Sequence, residues 1–499
     1  MGDKLKTTAV SGARWGFIEN FSSLAVTFLV GIVLARILTP QEYGLVGSLT
    51  IFIALSISFI DNGFSAAIIK KPNPTSEDLK TVFSTNLFIS LLCYILLFAL
   101  SKPIANFFSS QELVPLLRVL SIVLIINAFS IIQRVLLVKE VDFKRLTVCS
   151  LSSSILSGCV GIYMALRGYG VWSLVGQQIA KQFFNTLLLW ILGNWKFALG
   201  FNRSSFKELF SYGSKVLISG ILDTLFKYLY YPVIGRFAST STLGLYTRAD
   251  QFSNVTSNNI SMVIQKVSFP VLSKIQDNDE RLRNSFRTIV LVSILLSSFL
   301  CFWLCSIAQP LILGLIGAKW ESAVGMLQII SLGGVFIPLH YLNQNILQIK
   351  GKMKQYLALE IFKKVLLVLS VVVGIFFGLD ILLWGFVVAN TIAYFVFAYY
   401  SGLYSGYSVF RQFADILRPL FIAFVACIVC AFVAIGVIWL CKNWLVWYNI
   451  TWTNLLGVLT GTLAALGFIA LIYKIFPAKE FTEALNLLKI WKKNDGSEC

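Results

Sequence analysis

The sequence predicts an all-α, polytopic membrane protein with about 14 transmembrane helices. Three observations predict it. Apolar residues come in blocks of about 20, the length needed to cross a hydrocarbon core. The chain is 57% hydrophobic and only 13% charged, with a mean hydropathy of +0.79, where a soluble domain carries about 25% charged residues. Its 41 Lys and Arg against 23 Asp and Glu, a net charge of +18, fall between the blocks in an alternating pattern. These features exclude a soluble enzyme and a nucleic-acid binder. The excess of positive charge instead marks cytoplasmic loops lying against anionic lipid.

In chain order the spans are 13–37, 44–69, 82–101, 113–133, 146–166, 170–193 and 210–235. They continue as 243–265, 288–315, 321–349, 355–377, 380–400, 417–440 and 452–473. The first, from Trp15, is long enough to span and has no A-x-A exit, so it reads as a helix rather than a cleaved signal. Span 243–265 is the most dilute because it carries Asn254, Asn258 and Asn259. An even count puts both termini on one side. The segments on that side, including Lys139, Lys207, Lys274 and Lys352, hold 28 basic residues. The opposite loops hold six (Arg36, Lys102, Arg167, Arg236, Lys319 and Lys442), and the remaining seven lie inside spans. The asymmetry places both termini in the cytoplasm, and one missed span would scramble it.

The sequence also repeats itself. Leu34-Ala35-Arg36 through Gly44-Leu45 closes span one and opens span two, and Ile234-Gly235-Arg236 through Gly244-Leu245 does the same for spans seven and eight. Six spans separate the copies, so they share one topology and are related by an axis along the membrane normal. Two six-helix lobes are expected, 1–205 and 206–405, followed by two extra helices in 406–473 and a cytoplasmic tail at 474–499. The loop from Lys274 to Arg287 and the tail segment 481–493 are amphipathic, suited to the headgroup level or to plain solvation.

Little here can do covalent chemistry. The nine cysteines sit mostly inside apolar runs, and Cys427-Ile428-Val429-Cys430 has no second pair. His340 is the only histidine, so no metal is expected, and there is no G-x-x-x-x-G-K-[ST] phosphate loop. No catalytic residue and no cofactor are predicted. What stands out is polar and ionisable side chains inside spans, which are costly in lipid and normally face a cavity or a partner.

The substrate-cavity candidates are Asp61, Asn62, Lys181, Asp223, Lys227, His340, Asn343 and Lys363. Glu19, Asn20, Arg118, Lys215, Arg248, Asp250, Glu360 and Lys364 are secondary candidates. Asp61, Lys181 and Lys227 fall towards mid-span by residue count, where snorkelling is hardest. Asp223 with Lys227, and Glu360 with Lys363 and Lys364, have the spacing of intrahelical pairs. Gly333-Gly334 and Pro338 should kink span ten, next to His340, Asn343, Gln344 and Asn345. A cavity of net positive character suits an anionic amphiphile such as a lipid-linked phosphate.

At several places the sequence resembles the polysaccharide-export flippases of the multidrug/oligosaccharidyl-lipid/polysaccharide superfamily, the colanic-acid and teichuronic-acid exporter branch in particular. The resemblance rests on residues 34–45, on Asp61-Asn62-Gly63-Phe64-Ser65-Ala66-Ala67 and on Gly170-Val171-Trp172-Ser173-Leu174-Val175. It rests too on Gly244-Leu245-Tyr246-Thr247-Arg248-Ala249, residues 269–276, Gly317-Ala318-Lys319-Trp320 and residues 347–351. It covers about residues 10–400. The resemblance implies a two-lobed, V-shaped fold working by alternating access, and a substrate built on polyprenyl diphosphate carrying a sugar repeat unit. It further implies export from the cytoplasmic to the outer leaflet of a bacterial inner membrane, driven by a proton or sodium gradient or by membrane potential. Partner glycosyltransferases and a glycan polymerase would belong to the same pathway. Two other readings remain open on sequence grounds: a membrane glycan polymerase or ligase, and a drug/cation antiporter of the same superfamily.

Overall fold

The computed structural model describes residues 2–61, 63–444 and 450–475, and every regular element among them is a helix. Asn62 and the tail segment 481–493 lie outside the described residues. Two compact units divide the chain, Met1–Gly244 and Leu245–Cys499. The first holds α1 (Gly2–Ile37), α2 (Pro40–Asp61), α3 (Phe64–Lys70), α4 (Ser76–Phe107), α5 (Leu113–Leu120), α6 (Ile122–Lys139), α7 (Phe143–Leu166), α8 (Trp172–Leu192), α9 (Arg203–Lys227) and α10 (Tyr230–Phe237). Helix α11 (Thr240–Lys274) begins in the first unit and runs on into the second. The second unit continues with α12 (Asp279–Ser306), α13 (Ala308–Leu315), α14 (Ala323–Gly334), α15 (Ile337–Ile349), α16 (Met353–Phe377), α17 (Leu379–Ser405), α18 (Val409–Trp444) and α19 (Ile450–Ile475).

Ten helical stretches among the described residues are long and apolar enough to cross a membrane, three of them being the broken pairs α2–α3, α5–α6 and α14–α15. The chain is therefore a multi-pass membrane protein. Four further expected spans coincide with α8, α9–α10, α11 and α16. These four are more polar, and the reason is in their sequences. Helix α8 carries Gln177, Gln178, Lys181, Gln182 and Asn185; α9 carries Lys215, Asp223 and Lys227; α11 carries Arg248 and Asp250; α16 carries Glu360, Lys363 and Lys364. Most of the ionisable candidates thus sit on the helices least suited to face lipid on all sides.

Local chemistry sets the ends. Thr75 and Asp78 form a reciprocal capping box on α4, and the side chains of Asp142, Asn202 and Asn278 accept from the first backbone N–H groups of α7, α9 and α12. The expected kink in span ten is a break at Val335-Phe336, after the glycine pair and before Pro338. The segment read as a loop from Lys274 to Arg287 is instead mostly α12, because the Asn278 cap starts the helix at Asp279 and draws Arg281, Arg283 and Arg287 into its first turns.

Small residues let the helices approach closely. In the first unit α7 packs on α1 and α8, with Gly158 against Val30 and Gly176 against Met164. In the second, α18 and α19 meet where Gly461 faces the Cys430 carbonyl. The core of the second unit is built by α12, α15 and α17, through fully buried Phe286, Ile294, Leu342 and Tyr394 among others.

The repeat has a physical counterpart. A Cβ built on Gly44 would sit 1.7 Å from the Thr240 carbonyl oxygen, and one built on Gly244 would sit 1.7 Å from the Pro40 carbonyl oxygen. Corresponding positions of the two copies therefore cross backbone to backbone, each glycine under the other copy's carbonyl. Only glycine fits at this separation.

Candidate functional site

The densest buried polar group among the candidates lies in the second unit, on α15. Its helix enters at Pro338 and turns His340, Asn343, Gln344 and Asn345 inward, so that all four are buried. The His340 ring packs on Phe397 of α17 with centroids 4.0 Å apart. Its Nε2 lies 3.1 Å from the Gln344 amide nitrogen and 3.8 Å from Glu360 Oε1 on α16, while its Nδ1 is buried without a partner among the described residues. The Gln344 amide nitrogen also donates to Glu360 Oε1. Asn343 donates to the Leu339 carbonyl and accepts from Ser401, and Asn345 donates to Ser268 of α11. The Lys363 ammonium stands 6.0 Å over the Tyr341 ring, and Lys364 is half-buried one position on. Glu360, read from spacing as a partner for Lys363 and Lys364, keeps both as charged neighbours and also reaches across to α15.

In the first unit the candidates are spread out. Lys181, exposed on α8, donates to Thr27 of α1 over 3.3 Å. The next residue, Gln182, turns the other way and donates to Asn127 and Ser130 of α6. Asp61 ends α2, accepts from Ser65 over 2.7 Å and sits beside the break that α9 covers, where Gly213 meets Gly63. Lys227, expected at mid-span, is the last residue of α9, where the helix dipole favours a cation, and lies over the Tyr228 ring. Asp223 and Lys215 are exposed on the same helix. Glu19 is half-buried on α1 with Arg134 as its charged neighbour, and Asn20 donates back to the Gly16 carbonyl. Arg118 is tied to α4 through Ser101 and the Phe98 ring. Arg248 and Asp250, on α11, are half-buried in the second unit. The structure therefore brings His340, Glu360 and Lys363 together with Asn343 nearby, but does not gather the first-unit candidates into one cluster.

Other basic residues are structural. Lys71 bridges Asp78 at 2.9 Å and Glu208 at 3.0 Å, and these two carboxylates raise its ammonium above the usual lysine value. Lys139 donates to the carbonyls of Ile68 and Lys71, and Arg287 grips Asp415 with two 2.7 Å bonds while Tyr407 donates to the same carboxylate. Sequence reasoning missed Thr27, Ser268, Ser401 and Phe397. Their signal is weak: a single hydroxyl or ring within an apolar run leaves hydropathy almost unchanged.

With this geometry in view, comparison with known proteins is decisive. The pattern of the family described as polysaccharide biosynthesis protein matches residues 33–325, more than half the chain. The chain belongs to the polysaccharide biosynthesis protein family. Among this family's similar proteins is the teichuronic acid biosynthesis protein TuaB of Bacillus subtilis, 26% identical over 69% of this chain and 71% of that one. The succinoglycan biosynthesis transport protein ExoT of Rhizobium meliloti is 25% identical over 66% and 67%. The lipopolysaccharide biosynthesis protein WzxC of Escherichia coli is 23% identical over 74% and 76%. In fold the chain is like the lipid II flippase MurJ in an inward closed conformation, with a TM-score of 0.70 at 14% identity over 94% of this chain and 100% of that one. A MATE multidrug transporter in an inward-facing conformation follows, with a TM-score of 0.61 at 16% identity over 78% and 98%. This family member thus has the polytopic fold shared by those transporters.

Proposed function

We propose that the chain is a flippase that moves a polyprenyl-diphosphate-linked oligosaccharide, the repeat unit of a lipopolysaccharide, capsule or exopolysaccharide, from the cytoplasmic to the outer leaflet. The observation that carries this reading is the family match over residues 33–325 joined to a fold like that of a lipid II flippase. The names of the relatives, one a transport protein for succinoglycan, point the same way. Charge supports it too: Lys181, Lys227, Lys363 and Lys364 put cations within membrane helices, as an anionic headgroup requires. The protein acts as a transporter rather than a catalyst, in a bacterial inner membrane with both termini cytoplasmic. An ion gradient or the membrane potential supplies the energy, no cofactor is needed, and the glycosyltransferases and polymerase of the same pathway are its neighbours.

The test is replacement of a resident exporter. Expressed in bacteria lacking their own flippase for a defined repeat unit, the chain should restore surface glycan, read by lectin or antibody binding. Accumulation of lipid-linked repeat units inside, at unchanged levels of the protein in the membrane, would contradict the proposal for that substrate. Resistance to cationic drugs without glycan export would favour the antiporter reading, to which the MATE-like fold lends its weight.

A further inference from the structure

The sole histidine of the chain is buried in the second unit beside a carboxylate on the neighbouring helix, and the flippase reading leaves that pair without a task. The hydrogen-bond pattern around it is informative. The Gln344 amide nitrogen faces Glu360 Oε1, an obligate acceptor when ionised, so the amide orientation is fixed by the carboxylate. The same nitrogen therefore approaches His340 Nε2 as a donor, which makes Nε2 the lone-pair nitrogen of a neutral ring and puts the ring proton on Nδ1. A proton added at Nε2 would set two donors against each other across 3.1 Å. The amide must then turn away, and Glu360, now 3.8 Å off, is placed to close on the imidazolium. The neutral and charged rings thus demand two different arrangements of the Gln344 and Glu360 side chains between α15 and α16.

Among the described residues, Glu360 is the acid that faces the ring. On α16, Lys363 opposes a charge on His340 and Lys364 neighbours Glu360. Helix α17 contributes Phe397, Ser401 and the buried Tyr394 hydroxyl. Helix α12 contributes Ile294 and the Cys301 thiol, its charged residues being confined to the first turns, and α11 meets α15 through Ser268.

We propose that His340, Gln344 and Glu360 form a proton-binding site, through which proton movement is coupled to glycan-lipid translocation. The proton comes from water on one side of the membrane, forms an N–H bond at Nε2 and leaves by the reverse step, with no change of redox state. Uptake closes Glu360 on the ring and so redistributes charge along α16, the helix that also carries Lys363 and Lys364. The coupling half of this proposal rests on the flippase reading, and the proton-binding half does not.

One histidine makes the test direct. Full-length protein labelled with 15N-histidine and embedded in bilayers has a single imidazole to observe. At about pH 8 it should show two well-separated ring nitrogens with the proton on Nδ1, and at about pH 3 two nearly equivalent protonated nitrogens. In Glu360→Gln the ring should stay neutral across that range, and Glu360→Asp should restore the change, with monodisperse elution checking the fold of both. In vesicles loaded with lipid-linked glycan, an imposed pH gradient should accelerate translocation by the wild type and have no effect in His340→Asn. A ring that does not change between the two pH values, or that titrates in Glu360→Gln as in the wild type, overturns the proton site. Gradient-driven acceleration that persists in His340→Asn overturns the coupling. A wild type whose ring titrates but which moves no glycan-lipid under any gradient contradicts the flippase reading and leaves the proton site standing.

Discussion

A lysine in an apolar helix must find a partner, reach the interface or serve a ligand. Among the described residues Lys181 has a single hydroxyl, Thr27 at 3.3 Å, which does not neutralise it. If it meets the diphosphate of the substrate, Lys181→Ala removes a charge-assisted contact of about 1.5–3 kcal/mol, so export should fall by about tenfold or more while membrane levels hold. A diffuse contact with phosphate needs charge more than fork geometry, so Lys181→Arg should keep part of the activity. Export by Lys181→Ala at the wild-type rate would remove the residue from the cavity.

Lys71 is the opposite case, a lysine whose work is structural. Its partner Asp78 is only 1% exposed, whereas Glu208 is 61% exposed. Lys71→Ala therefore leaves a buried carboxylate with its Thr75 hydrogen bonds but without its cation and should destabilise by on the order of 1–3 kcal/mol, while Glu208→Ala should cost under about 1 kcal/mol. Thermal melts in detergent would order the two, and equal shifts would contradict the assignment.

At the scale of elements, the glycine crossing is the most exacting feature. Gly44 and Gly244 each lie under the other copy's carbonyl, at a separation where a methyl group cannot be accommodated by side-chain adjustment alone. Overpacking at such a site costs about 1–3 kcal/mol or more. Gly44→Ala and Gly244→Ala should each lower the melting temperature, whereas Gly325→Ala, where a Cβ meets nothing, should leave it unchanged. The crossing was half legible in the sequence, since the repeat aligned the two glycines but could not say that they touch.

Helix existence was well marked by apolar run length, and the break before Pro338 by its glycine pair. The break at Asp61–Gly63 could be read as a loosened helix, but the seam with Gly213 is a tertiary contact with no local signal. The candidate site was legible as a set of polar residues without its grouping. Spacing along α16 paired Glu360 with lysines on its own helix, which do act on its charge, but it could not show the second partner on α15, because an inter-helix contact leaves no trace in a one-dimensional pattern. Residue counting placed Lys227 inside one continuous span, and it could not show that α9 ends there and α10 begins within the same span.

At the scale of the whole molecule, the asymmetry of basic residues predicts one orientation, with both termini cytoplasmic. Single cysteines placed at positions 139, 207, 274 and 352 in a cysteine-free background should be shielded from an impermeant maleimide in intact cells, and those at 102, 319 and 442 should react. An externally reactive C-terminal tail would contradict an even number of spans.

The central claim, that the protein carries a lipid-linked glycan across the bilayer, is tested most directly in a reconstituted system. Purified full-length protein in vesicles containing a fluorescent polyprenyl-diphosphate oligosaccharide, under an imposed ion gradient, should move the labelled lipid between leaflets. An impermeant quencher would then reach a growing fraction of the label, faster than in protein-free vesicles and faster than with Lys181→Ala. A quenchable fraction that stays at the protein-free level, with correctly folded protein in the same vesicles, would contradict it.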